Sequence, residues 1–137
     1  MPWEKYIMNT DAPIRAYDLT DGLRAVIRDE TSHYYGGYFH VTLRVEADVP
    51  LSAAWFESPA LFEDACGRLG STIRFYRTLE KMAVPAEEVD AVRSSLLESF
   101  ESNVLTYMSR PDFPSRFALS EYGKAVKSVV ARVYAPA

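Results

Sequence analysis

The densest run of chemically capable side chains is Ser32-His33-Tyr34-Tyr35-Gly36-Gly37-Tyr38, with His40 two residues beyond. Adjacent glycines let a backbone approach a ligand closely, and phenols can stack or donate hydrogen bonds. His33, Tyr34, Tyr35, Tyr38 and His40 are therefore the first contact candidates. The plainer explanation is a hairpin connection in which Gly36-Gly37 form a bulge and the tyrosines cap the core. The run lacks the glycine spacing of a phosphate-binding loop.

A metal site built on His33 and His40 would need carboxylates or thiolates from elsewhere in the chain. No Glu-x-x-His motif accompanies Glu98 and Glu101, and Glu87, Glu88 and Asp90 read as the acidic start of a helix. No metal and no cofactor are expected. Cys66 is the only cysteine, which excludes an intramolecular disulfide and a multi-thiolate site and suits a reducing compartment. Neither Gly-x-Ser-x-Gly nor a Ser-His-Asp set can be assigned, so no residue is named as catalytic.

Arg68, Arg74, Arg77 and Lys81 fall on a stretch read as one helix and could hold an anion or an acidic partner. Their wide angular spread, with Glu80 among them, favours a mixed solvated surface. Arg74 and Arg77 are kept as contact candidates, and so is Trp55, which with Phe56 makes an aromatic pair.

Those groups must be positioned by a fold that 137 residues can build: at that length roughly two-thirds of the unfolded chain's surface is removed from water. The composition, 48% apolar and 25% charged, is that of a globular protein rather than a disordered or collagen-like one. A net charge of -4 gives no basic field for general nucleic-acid binding. Glu4, Lys5 and Asp11 interrupt any export signal, and Val49 to Phe56 is too short to span a bilayer.

The clearest pattern is strict alternation from Phe39 to Leu51. Phe39, Val41, Leu43, Val45, Ala47, Val49 and Leu51 alternate with His40, Thr42, Arg44, Glu46, Asp48 and Pro50, the period of a strand buried on one side. Upstream, two shorter strands flank Thr20-Asp21-Gly22. A three-residue loop sets Leu19 against Leu23, Tyr17 against Ala25 and Asp18 against Arg24, which segregates apolar from charged groups. A two-residue loop would instead set Leu19 against Arg24. The first register gives the sheet a dry odd-numbered face and a wet even-numbered one.

Ser58 and Pro59 open a helix whose apolar positions Leu61, Ala65, Leu69, Ile73, Tyr76, Leu79 and Met82 recur at spacings of three and four, with a break near Gly70. A second helix starts at Pro85 with stripe Val89, Val92, Leu96, Phe100, Val104 and Met108, roughly 34 Å long. Prolines 111 and 114 end it. Phe113 is read as an anchor, and a third helix carries Phe117, Leu119 and Tyr122 inward.

The expected fold is thus α+β: a three-stranded antiparallel sheet, β-β-β, followed by about three helices packed on one face. It forms one domain over 1–137, with the ends 1–12 and 124–137 as its mobile parts. The third strand has a distal part without an obvious intrachain partner. Its edge, and the surface around Trp55-Phe56, point to a cytoplasmic binding or assembly module that forms a homodimer or takes a protein partner, with no membrane and no nucleic acid. The alternative is a small-molecule enzyme or sensor whose pocket lies between the Tyr34–Tyr38 hairpin and the 68–81 helix.

Overall fold

The structure is a computed structural model that describes residues 12–134. It is α+β, with an antiparallel sheet of five strands: β1 (Arg15–Asp18), β2 (Arg24–Asp29), β3 (Ser32–Tyr35), β4 (Tyr38–Pro50) and β5 (Thr72–Pro85). The helices are α1 (Pro59–Leu69), α2 (Val89–Ser99) and α3 (Phe113–Tyr134). The chain divides into two compact units, one running to Ala47 and from Tyr76 to Arg110, the other from Asp48 to Phe75 and from Pro111 onward.

In the first unit, β1 pairs antiparallel with β2, with Tyr17 opposite Ala25 and Asp18 opposite Arg24. The Leu19 N–H donates to the Leu23 carbonyl at 2.7 Å, closing the three-residue Thr20-Asp21-Gly22 loop in the expected register. β2 and β3 lie along the same edge of β4 in one common register, with Ile27 facing Val45, Asp29 facing Leu43 and Ser32 facing His40. They amount to a single strand interrupted at Glu30-Thr31. There the Thr31 N–H turns to Asp29 Oδ1 at 2.9 Å, and Thr31 Oγ1 accepts the Thr42 N–H at 3.3 Å. The register slips by one residue at the tip, where Tyr35 faces Tyr38 across Gly36-Gly37. Gly36 sits at φ 54°, a conformation that a residue without Cβ adopts freely.

Parity holds along this hairpin. Ala25, Ile27, Val41, Leu43, Val45 and Ala47 are buried, while His40, Thr42, Arg44 and Glu46 keep partial access to solvent. Val92 and Leu96 of α2 and Phe39 pack against the buried trio Val41, Val84 and Val89, so α2 covers the odd face. Each large aliphatic side chain buried there contributes roughly 1.5–3 kcal/mol.

The expected β-β-β-α-α-α order is corrected by the segment after Gly70. The helix stops at Leu69, where Gly70 takes φ 87° and its N–H closes on the Cys66 carbonyl at 2.8 Å. Residues 72–85 then form β5 rather than the second half of a helix. Ile73 and Phe75 are buried while Thr72, Arg74 and Tyr76 are exposed, a period of two. Threonine, isoleucine, phenylalanine and tyrosine favour a pleated surface, and that preference wins over an apolar spacing that fitted a helix equally well. β5 pairs with β4, so the edge that the sequence left open on β4 is filled from within the chain. Along α1 Ala65 and Leu69 turn inward as expected, joined by Phe62 and Cys66, while Leu61 is exposed.

Near its end β5 changes parity. Ala83 stands at φ 55° and Val84, rather than an odd-numbered residue, is buried. The left-handed conformation costs an alanine about 1–2 kcal/mol, more than the extra chain entropy glycine loses on folding. Ala83→Gly is therefore expected to stabilise the protein by about 0.5–1 kcal/mol, read as a higher urea midpoint at unchanged slope.

α2 continues through a π-helical turn, Phe100–Val104, into a last α-helical turn, Leu105–Met108. The extra residue in the π turn keeps Phe100 and Met108 both fully buried over a span where a regular helix would drift.

In the second unit, Ser58 Oγ accepts the Leu61 N–H at the start of α1 and Pro59 occupies its first turn, as the sequence suggests. The core is aromatic. The rings of Phe75, Phe113 and Phe117 lie 5.3–5.9 Å apart, with Phe113 completely buried. Phe56 packs on Phe62 and edge-on to Tyr122, at 5.9 and 5.7 Å. Phe113 is the expected anchor, whereas Leu119 is exposed rather than inward. α3 runs through Gly123, so residues 124–134, read from the sequence as a mobile end, are helical. The other expected mobile end, 1–12, lies outside the described residues except for Ala12.

Candidate functional site

The hairpin gathers four candidates at one tip. His33 lies on β3 with its ring edge-on to Phe39, 5.4 Å between centroids, and its Nε2 closes on the Gly36 carbonyl. This contact and the Gly37 carbonyl, which takes the Ala86 N–H at 3.1 Å, hold the turn from both sides. Tyr34, Tyr35 and Tyr38 project from it, 52%, 75% and 46% exposed. They do not cap the core. Each presents an apolar ring with a polar hydroxyl tip to solvent.

His40 belongs to the wet face. Its Nε2 lies 2.8 Å from Glu80 Oε2 on β5. Next to it, the Arg44 guanidinium sits 5.4 Å above the Tyr76 ring, 3.3 Å from Glu30 and 3.9 Å from Glu46, and Glu46 also faces Arg28 at 3.7 Å. Cations and anions thus alternate across β2, β4 and β5. Exposed pairs of this kind contribute at most about 1 kcal/mol each, and here they match strand to strand rather than form an acid-base set.

β5 is accessible along the middle of its length. From Tyr76 to Ala83 every residue except Leu79 is exposed, including Tyr76, Arg77 and Met82. Among the described residues β5 pairs with β4 and with no second strand. The hydrogen bonds fix which of its amides face outward. Thr42 bonds toward the β2 side, accepting the Glu30 N–H at 2.8 Å, and just past the end of β4 the Leu51 N–H donates at 2.9 Å to the carbonyl of Ser71, the residue before β5, so by alternation the odd β4 residues bond toward β5. Alternation along β5 then directs its odd amides to β4 and the N–H and C=O groups of Tyr76, Thr78 and Glu80 to the open edge.

Arg74 and Trp55 belong to the second unit. Arg74 forms a two-pronged pair with Asp48, at 2.7 and 3.3 Å, and Trp55 is half-buried in a short 3₁₀ turn, Ala53–Trp55. Arg68, read with them as part of a cationic helix, pairs instead with Asp64 at 2.8 Å. The Tyr122 hydroxyl donates to the same Asp64 oxygen at 2.6 Å. These hydrogen bonds, Tyr122's first, hold the Asp64 carboxyl below its ordinary range and push the Tyr122 phenol up. The cluster clasps α1 to α3. Residues 72–85 form β5, so Arg74, Arg77 and Lys81 lie on a strand rather than on one helix with Arg68.

A cavity of about 380 Å³ lies elsewhere in the first unit, lined by Ile14, Arg15, Asp29, Asp90, Arg93, Ser94 and Leu97. Arg93 bridges Asp29 at 2.9 Å and Asp90 at 2.8 Å, so the charges at its floor are matched. Beyond it the Tyr17 hydroxyl donates to Glu101 at 3.0 Å, and burial, followed by that carboxylate, raises the Tyr17 phenol. The sequence carried one signal for this region: Asp90, Arg93, Ser94 and Leu97 share one helical face. Asp29 and Arg15 come from strands, and no spacing joins them to it. None of the sequence candidates lines this cavity.

Among the described residues no three His, Cys, Asp or Glu side chains group as metal ligands, and no helix is long and apolar enough to cross a membrane. Comparison with protein-family models, with curated proteins and with solved structures found no match.

Proposed function

We propose that this chain is a binding and assembly module that associates with other copies of itself by strand addition at the outer edge of β5. The observation that carries the reading is the exposed run Tyr76–Ala83, whose alternate backbone groups face away from β4. A long exposed strand edge is a template for another strand, and main-chain hydrogen bonds supply the affinity. The tyrosines of the hairpin tip add amphipathic surface in the same unit. The ion pairs of the wet face join strand to strand, which supports a structural role for that face beside the exposed edge. The lone cysteine suits a reducing, cytoplasmic setting, and the acidic balance suits a protein partner rather than nucleic acid.

Thr78→Pro tests this. Proline is tolerated on an edge strand where its missing N–H would have faced solvent, so the fold should persist while the outward donor is lost. Light scattering from the wild-type protein should show mass rising with concentration, and the variant should stay monomeric with an unchanged circular dichroism spectrum. A wild-type protein that is monomeric at every concentration, or a folded variant that associates as before, would refute the reading.

A further inference from the structure

We infer that two copies close into a two-fold dimer with Thr78 on the symmetry axis, a conclusion that rests on the edge-strand reading above. Two identical strands that join edge to edge antiparallel must set residues of equal parity opposite one another, because opposite residues share a face and outward-bonding residues meet outward-bonding residues. The permitted centres therefore fall on single residues; one at Tyr76 would pair the exposed run with the stretch that carries buried Ile73 and Phe75, one at Met82 would run into the left-handed Ala83, and the charges of β5 discriminate between the centres that remain. A centre at Arg77 places that arginine against itself. A centre at Leu79 places Arg77 against Lys81 twice, and one at Glu80 places that carboxylate against itself. Like charges directly opposite are destabilising.

A centre at Thr78 has none of these conflicts. Thr78 meets Thr78, a pair that suits an exposed strand, and Arg77 meets Leu79. Tyr76 meets Glu80, so a carboxylate from one copy arrives beside the phenol over which Arg44 already sits, 5.4 Å above the ring. The three outward-bonding residues Tyr76, Thr78 and Glu80 pair among themselves. The parity change at Ala83 ends the regular edge just beyond them, which limits the strand available for pairing and favours a closed pair of short strands. An isologous contact of this kind uses the same patch on both copies and does not propagate.

The test places charge on the axis. Thr78→Lys sets two ammonium groups face to face, and Thr78→Glu does the same with two carboxylates. Each variant alone should dimerise roughly fivefold more weakly than wild type, and an equimolar mixture of the two should recover a heterodimer at least as tight as the wild-type dimer, by sedimentation velocity. Only a residue that meets its own copy gives homotypic loss with heterotypic rescue. If Thr78→Lys instead strengthens association, Thr78 faces Glu80 and the register is wrong. If neither charge has an effect although Thr78→Pro abolishes association, the axis lies elsewhere while the edge reading stands. If Thr78→Pro has no effect, both fail.

Discussion

Leu43→Lys is expected to unfold the first unit, while Thr42→Lys, one residue away, leaves it folded. Leu43 is fully buried on the face that α2 covers, and a lysine there has either to carry an unpaired charge into the core or to shed its proton. Loss of the leucine packing adds to that, so the change should exceed about 4 kcal/mol, a large share of the roughly 5–15 kcal/mol by which a domain of this size is stable. Thr42 lies on the wet face with partial exposure, where the lysine stem can lie along the sheet and its ammonium reach water. Its cost should stay below about 1 kcal/mol. Urea titration followed by circular dichroism compares the two directly. Equal stability of the variants would mean that the faces of β4 are not distinguished.

Phe113→Ala carries the second large effect, in the other unit. Phe113 has no solvent exposure and packs against both Phe75 and Phe117. Truncation removes a ring from a site where two further rings depend on it for contact, and buried phenylalanine-to-alanine changes cost about 3–5 kcal/mol. Phe113→Leu keeps most of the volume and should cost less than half as much. Thermal melts of the two variants measure the difference. A Phe113→Ala protein that melts with the wild type would show that the ring is not a packing anchor.

Those two predictions mark what was readable in the sequence and what was not. Alternation along β4 accounts for a buried side chain at every odd position from Val41 to Val49, because a pleated strand sends successive side chains to opposite faces. The Thr20-Asp21-Gly22 register followed from keeping Asp18 with Arg24 and Leu19 with Leu23. Phe113 stood out as the one large apolar residue in the connection 109–114, and it opens α3. The segment 72–85 was misread for a physical reason: Ile73, Tyr76, Leu79 and Met82 recur at intervals of three, and that spacing suits a helix face although the neighbouring Thr72, Phe75 and Thr78 favour a strand. Only pairing with β4 decides the matter, and pairing is not local. With 72–85 as a strand, an exposed edge lies on β5 rather than β4, and Arg74 and Arg77 share a strand rather than a helix. His40 was legible on the wet face from its even position, whereas the tyrosines, for which capping the core is the plainer expectation, stand exposed. The cavity around Arg93 was not legible, because it joins Arg15, Asp29 and Asp90 from three different elements.

Hydrogen exchange at individual amides of β5, followed at low and at high protein concentration, tests strand addition most directly. In dilute solution the Arg77 and Leu79 amides, directed at β4, should be protected while those of Tyr76, Thr78 and Glu80 exchange quickly. Concentrating the protein should bring these three to comparable protection. Outward amides that exchange at the same fast rate at both concentrations, with association evident by mass, would contradict an interface along this strand.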